Sequence, residues 1–358
     1  MFAALLCSIL FSISVACGFR SAKLIGGTEA NFWRLTLATL FLGLWSYSFG
    51  IGLDGAAFPL FFLSGIIGIG VGDMGLFQAL PRLGSRLSLL IIQCLTAPLG
   101  ALIEWLWLGT SLSAWQILCG LVTVSGVAIA LMPGRSVERE SVERGADRNQ
   151  RRTSNVQRST SNVEPGLLPA PSRVQSRTLN VGHWTFASAF RPRSTHVWGF
   201  LYCLVAAFGG AFGAVLSRKA YTLARSAGQP VDGANAAFQR ILGGLLLAAI
   251  FLLIVKRQAF RVQAHAPPEL VAEASRKKWR AVWPWILINS FAGQTLGVSC
   301  MQWALETTPT GIVLAIIAIT PITVIPVAYL LEGERPTRHS LLGSAIAVVG
   351  VIALTLSK

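Results

Sequence analysis

The sequence predicts an all-α integral membrane protein of about ten transmembrane helices, arranged as two inverted five-helix repeats. Three observations carry that expectation. Of 358 residues, 53% are hydrophobic and only 13% charged, with a mean hydropathy of +0.60, a balance that a soluble chain of this size cannot hide from water. Uncharged windows of the ~17 to 25 residues needed to cross a hydrocarbon core recur from end to end. One polar, Arg-rich stretch, 135–196, interrupts them midway and leaves five windows on each side.

The first window, 2–19, follows no basic side chain of the kind a secretory signal carries, so it is expected to stay as a helix rather than be cleaved. The second, 35–53, begins after Phe32-Trp33-Arg34; the third, 56–80, is glycine-rich; the fourth is 87–108. The apolar run 105–134 is too long for one helix and divides near 109–113, so that the fifth window starts at Trp115. In the second half the windows are 197–217, 235–255, 281–305, 307–331 and 340–356. The expected division is 1–134, a linker 135–196, and 197–358. The linker holds eleven Arg against five acids, and Thr153-Ser154-Asn155-Val156 recurs in it as Thr160-Ser161-Asn162-Val163. Such a composition buries too little to offset its ordering entropy, and the segment is expected to be disordered.

The net charge of +15 does not point to nucleic acid. Its basic residues cluster in 135–196 and 256–280, beside apolar windows, where such clusters meet anionic lipid head groups, and neither stretch has the apolar content to fold as a basic module. All six cysteines fall inside apolar windows, where a thiol behaves as a small hydrophobe. The four histidines have no ligand spacing to one another or to a cysteine, so no metal site is expected.

The halves match each other. Residues 72–80 align without a gap on 297–305, and in that register Gly65, Gly68, Gly72, Gly75 and Ala79 face Ser290, Gly293, Gly297, Cys300 and Ala304. All ten are small and lie at helical three-and-four spacing, one close-packing stripe per helix. Ala97-Pro98 also matches Thr320-Pro321, Phe32 and Arg34 match Phe238 and Arg240, and Lys23 matches Lys219. Five helices per repeat is an odd number, so the second copy is inverted, the arrangement behind alternating access in many secondary transporters.

With Phe32-Trp33-Arg34 and Phe238-Gln239-Arg240, an Ala-Leu before a short loop, the proline that follows, and Gly333-Glu334 before the last window, both halves resemble the EamA-type drug/metabolite transporters. In the first half Gly109-Thr110 stands in place of Gly-Glu. The resemblance implies a multi-pass cell-membrane exporter or permease of small metabolites, with a central cavity between the halves and both termini in the cytoplasm. Basic residues counted over the short loops place both termini outside instead.

Gly70-Val71-Gly72-Asp73-Met74-Gly75 satisfies G-x-G-x-x-G, but no βαβ unit surrounds it and its glycines belong to the packing stripe. Neither a Walker sequence nor any other cofactor motif is present, and no cofactor is expected. Ionisable side chains inside apolar windows are costly and usually paired or cavity-facing. Four qualify. Arg34 and Arg240 are repeat equivalents near window ends, expected to snorkel to the interface or make a shared structural bond. Asp73 and Glu104 correspond to Val298 and Val327, so the scaffold itself does not require either carboxylate, and both are candidates for substrate or proton coupling. Gln93 and Gly100 share the helical face of Glu104 at ~100° per residue, and Gln78, Asn289, Gln294 and Gln302 add hydrogen-bonding groups to a polar passage. Pro98, Pro321 and Pro326 are expected to break the fourth and ninth helices near a midplane site. A membrane enzyme would need a nucleophile with its base, or clustered carboxylates and histidines, and the sequence offers neither. A purely structural or sensory membrane protein would not need the two unmatched carboxylates. The expected function is therefore secondary transport of a small molecule, with proton coupling the candidate mechanism.

Overall fold

The computed structural model of the chain describes residues 2–109, 112–131, 195–262, 268–332 and 338–356. The linker expected over 135–196 lies almost wholly outside the described residues, as does the Gly333-Glu334 pair. Among the described residues every regular element is helical. Six helices among the described residues are long and apolar enough to cross a membrane: Phe2–Ile25, Phe58–Gly84, Ile91–Leu108, Val197–Ser226, Gly233–Arg257 and Thr310–Val327. The chain is a multi-pass membrane protein.

Helix α1 (Phe2–Ile25) stops at Gly26, whose φ of 90° is open to glycine and strained for other residues, and α2 (Gly27–Phe49) starts immediately after it. That tight corner begins the second helix well before the apolar window does, so Arg34 stands two turns inside α2 rather than at its end. α3 (Phe58–Gly65), with Pro59 in its first turn, passes through a π-helical segment, Ile66–Asp73, into α4 (Met74–Leu108). Gly84, at φ 82°, bends α4 into two rods. The helix continues through Pro98, and the break in this rod falls at Gly84 rather than at the proline. α5 (Ala114–Leu131) completes the first half.

The second half comprises α6 (Thr195–Ser226), α7 (Gly233–Val262), α8 (Pro268–Asn289), a second π-helical segment Ser290–Gly297, α9 (Val298–Thr307), α10 (Thr310–Ile317), α11 (Thr320–Glu332) and α12 (Arg338–Leu356). Asp232 caps α7, its Oδ1 accepting the amides of Ala234 and Asn235 at 2.8 and 3.0 Å. The expected ninth window divides into α10 and α11. Pro321 cannot donate to the carbonyl of Ile317, and the Thr320 hydroxyl does so instead at 2.6 Å. Pro326 sits inside α11, which continues past it.

Side chains are distributed as lipid solvent requires. Large apolar groups such as Leu44, Phe49 and Trp105 point outward, while the interior is rich in Ala, Gly and Ser. The small stripes lie against the opposite half. Gly72 passes beside Ala206, Gly209 and Gly210 of α6, and Gly65 admits the backbone carbonyl of Arg240 in α7. Gly293 and Gly297 meet Ser14 and Phe11 of α1. Within the GxGxxG stretch Gly70 packs on Leu247 and Gly75 on Tyr202 and Ala206, so these glycines serve helix approach.

Candidate functional site

Arg34 is buried, not snorkelling. Two turns inside α2, its guanidinium turns to Asp73 at the end of the first π-helical segment, Nη2 to Oδ2 at 2.5 Å. Nε donates to Asn31 one turn earlier at 2.9 Å, and the guanidinium lies 4.5 Å from the Phe77 ring centroid. Gln294, in the second π-helical segment, donates to the same Asp73 oxygen at 2.9 Å, and Ser290 donates to the Arg34 carbonyl at 2.9 Å. One carboxylate therefore ties α2 and the glycine-rich helix of the first half to the second half. Both π-helical segments carry a member of this junction. A π turn skews the helical register, which is why such segments gather at functional sites.

Arg240, the repeat equivalent of Arg34, is 2% exposed. It lies in electrostatic range of Asp73 and of the Tyr221 hydroxyl, yet its Nε and Nη1 have no acceptor among the described residues. Gly68 leaves room for it, since a side chain at 68 would come within 2.9 Å of its Nη2. The Tyr221 hydroxyl, Asn31 Nδ2 and Gln294 Oε1 are likewise buried without partners among the described residues. Two guanidiniums thus share one carboxylate.

Glu104 is buried elsewhere, at the end of α4. Its Oε1 accepts from Arg218 Nε at 3.0 Å and its Oε2 from the Thr310 amide at 2.5 Å. The second bond caps α10, placing negative charge at a helix N-terminus. Arg218 also donates through Nη1 to the Leu305 carbonyl at 2.9 Å, so the pair clasps α4, α6, the end of α9 and the start of α10. The face shared with Gly100 is covered, for α10 packs on Gly100 through Leu314 and Thr310. Arg218, one residue past the 197–217 window, is inside α6.

The remaining polar candidates scatter. Gln78 binds Thr28 at 2.9 Å and accepts from Arg82 at 3.0 Å. Asn289 accepts from Ser14 at 2.6 Å, with Nδ2 free. Gln302 is fully buried with both amide atoms unpartnered among the described residues, and Gln93 is buried on α4. Of the sequence candidates, the structure brings together Arg34, Asp73, Gln294 and Arg240. Asn31, Ser290, Tyr221, Arg218 and Thr310 were missed; only Asn31, three residues before Arg34 on one helical face, left a signal in the sequence. Two surface clefts of about 330 and 390 Å³ share Asp232 and Glu306.

Residues 197–356 match the EamA-like transporter family, whose members are transporters. A solved crystal structure, described simply as that of a protein, is similar over 99% of this chain and 94% of its own at a TM-score of 0.59. At 13% identity that likeness is one of fold. No curated protein matches the chain.

Proposed function

We propose that this chain, whose second half carries the EamA-like match, is a secondary transporter of small solutes in the cell membrane. In this reading residues 1–134 and 197–358 form two inverted five-helix repeats joined by 135–196. The two π-helical segments support it: Ile66–Asp73 and Ser290–Gly297 have the same length and fall within one residue of the register read from the small stripes. The central sites of transporters built this way lie at the repeat interface, on helices with irregular backbone.

The observation that carries the proposal is the Arg34–Asp73–Gln294 junction. It is a buried ion pair bonded across the two halves, with a second arginine close by and incompletely satisfied. Moving the halves must break or exchange bonds to Asp73, which makes it the coupling carboxylate. Glu104, held on both oxygens by Arg218 and the α10 cap, is assigned as a fixed clasp.

The test uses proteoliposomes containing the full chain and a mixture of labelled metabolites, with and without an imposed pH gradient. Accumulation driven by the gradient is expected, to be lost in Asp73→Asn and kept in Glu104→Gln. Gradient dependence surviving in Asp73→Asn and lost in Glu104→Gln would reverse the two assignments. No accumulation of any component by the intact protein would overturn the transport reading.

A further inference from the structure

Arg240 poses a problem of charge. Arg34 and Arg240 are both buried and both bear on Asp73, but Asp73 is bonded to Arg34 and Gln294. One positive charge is left without a bonded counter-charge. An arginine cannot escape by losing its proton, and an uncompensated buried charge is strongly destabilising. The N–H groups of Nε and Nη1 have no acceptor among the described residues. Gly68 lets its backbone approach the guanidinium, a Cβ there coming within 2.9 Å of Nη2, and Tyr221, whose ring packs edge-on against Phe61 at 5.0 Å, lies in electrostatic range. A surplus donor set, one spare positive charge and an apolar aromatic wall describe the complement of a small organic anion.

We propose that the solute carries a single carboxylate, held by the Nε and Nη1 groups of Arg240 with the Tyr221 hydroxyl as a further donor. Charge selects the class. A monocarboxylate neutralises the centre, a phosphate monoester overfills it, and an amine adds to the surplus. Gln294 Oε1, in the second π-helical segment, and Gln302, on α9, which packs against α7, offer neutral groups for the rest of the solute. This inference rests on the transport reading for its meaning but makes a separate claim about binding.

The experiment measures binding before transport. The purified full-length protein, in chloride-free buffer, is titrated with butyrate and benzoate, with butyramide, benzamide and butylamine as isosteric controls, and with inorganic phosphate and chloride. The carboxylates are expected to raise the melting temperature saturably and the amides and amine to leave it unchanged. Arg240→Gln is expected to weaken carboxylate binding about ten- to a hundredfold, the range for losing charge-assisted bonds. Arg240→Lys, which keeps the charge, checks that the loss is not misfolding, and is expected to retain part of the affinity. Equal stabilisation by amides, by chloride alone, or by phosphate in preference to carboxylates overturns the assignment, as does full carboxylate affinity in folded Arg240→Gln. Proteoliposomes loaded with labelled benzoate then separate the two claims. Binding without movement sinks the transport reading alone, and Arg240-independent movement of uncharged solutes sinks the anion site alone.

Discussion

Replacing Glu104 by Gln removes one charge and one acceptor from a clasp that joins four helices. The Glu104 side chain is 3% exposed and that of Arg218 20%. Both carboxylate oxygens are used, one by Arg218 Nε at 3.0 Å and one by the Thr310 amide at 2.5 Å. Gln keeps a single carbonyl oxygen, so one of these bonds is lost. A bond to a charged group contributes ~1.5–3 kcal/mol. Stranding the partner of a fully buried pair costs ~3–5 kcal/mol, but Arg218 reaches some solvent and keeps its bond to the Leu305 carbonyl, which places the expected loss at about 2–3 kcal/mol. Arg218→Met alone leaves the carboxylate with only the α10 amide. In the double variant neither charge is stranded, so the two losses should not add; a coupling of about 1–2 kcal/mol is expected for residues in contact. Unfolding free energies in mixed detergent micelles, followed by tryptophan fluorescence, give all four corners of the cycle. Additivity within ~0.5 kcal/mol would refute the clasp.

Three further outcomes follow from packing. Gly65→Ala should destabilise by at least the ~1–3 kcal/mol typical of overpacking, because its methyl meets the Arg240 backbone carbonyl, which cannot swing aside. Gly72→Ala should be tolerated, its nearest neighbour being 3.4 Å away, whereas Gly72→Leu should not; thermal scans in detergent giving 65 and 72 the same tolerance of Ala would undo the packing argument. Gly297→Ala should lower the melting temperature because its Cβ comes within 2.7 Å of the Phe11 ring, and Phe11→Leu should restore part of the loss by opening that contact. Exchanging 136–195 for a Gly/Ser linker of similar length should leave insertion and monodispersity in detergent unchanged, with aggregation on size-exclusion chromatography as the contrary result.

How far the sequence carried depended on what kind of signal each feature left. Small residues at helical spacing left a local and periodic one, and the stripes through Gly72 and Gly297 were readable. What they touch was not, because contact with α6 and α1 joins residues far apart in the chain. Arg34 shows a systematic effect. A hydropathy window ends at a charge by construction, so a charged residue inside a helix is assigned to its end, and the same effect left Arg218 one residue past the 197–217 window. Asp73 stood out because its repeat partner is Val298, but its bond to Arg34 spans 39 positions and that to Gln294 spans 221. Proline was over-read. Pro98 and Pro326 each delete one backbone bond in helices that continue, while the real bends fall at Gly84 and next to Pro321.

The last helix of each half has its partner at the far end of the polypeptide. α5 and α12 lie backbone to backbone, with Gly126 against Gly343 and Ala347, and Gly350 against Cys119 and Thr123. The ribosome finishes α5 some 200 residues before it begins α12, and at ~5–20 residues per second that interval is roughly 10–40 s. During this time the narrow, glycine-lined face of α5 is without the helix that will cover it. Covering of α5 is therefore completed by α12, and a nascent chain truncated before residue 338 should remain bound to insertion machinery or be degraded while its earlier helices are already in the bilayer.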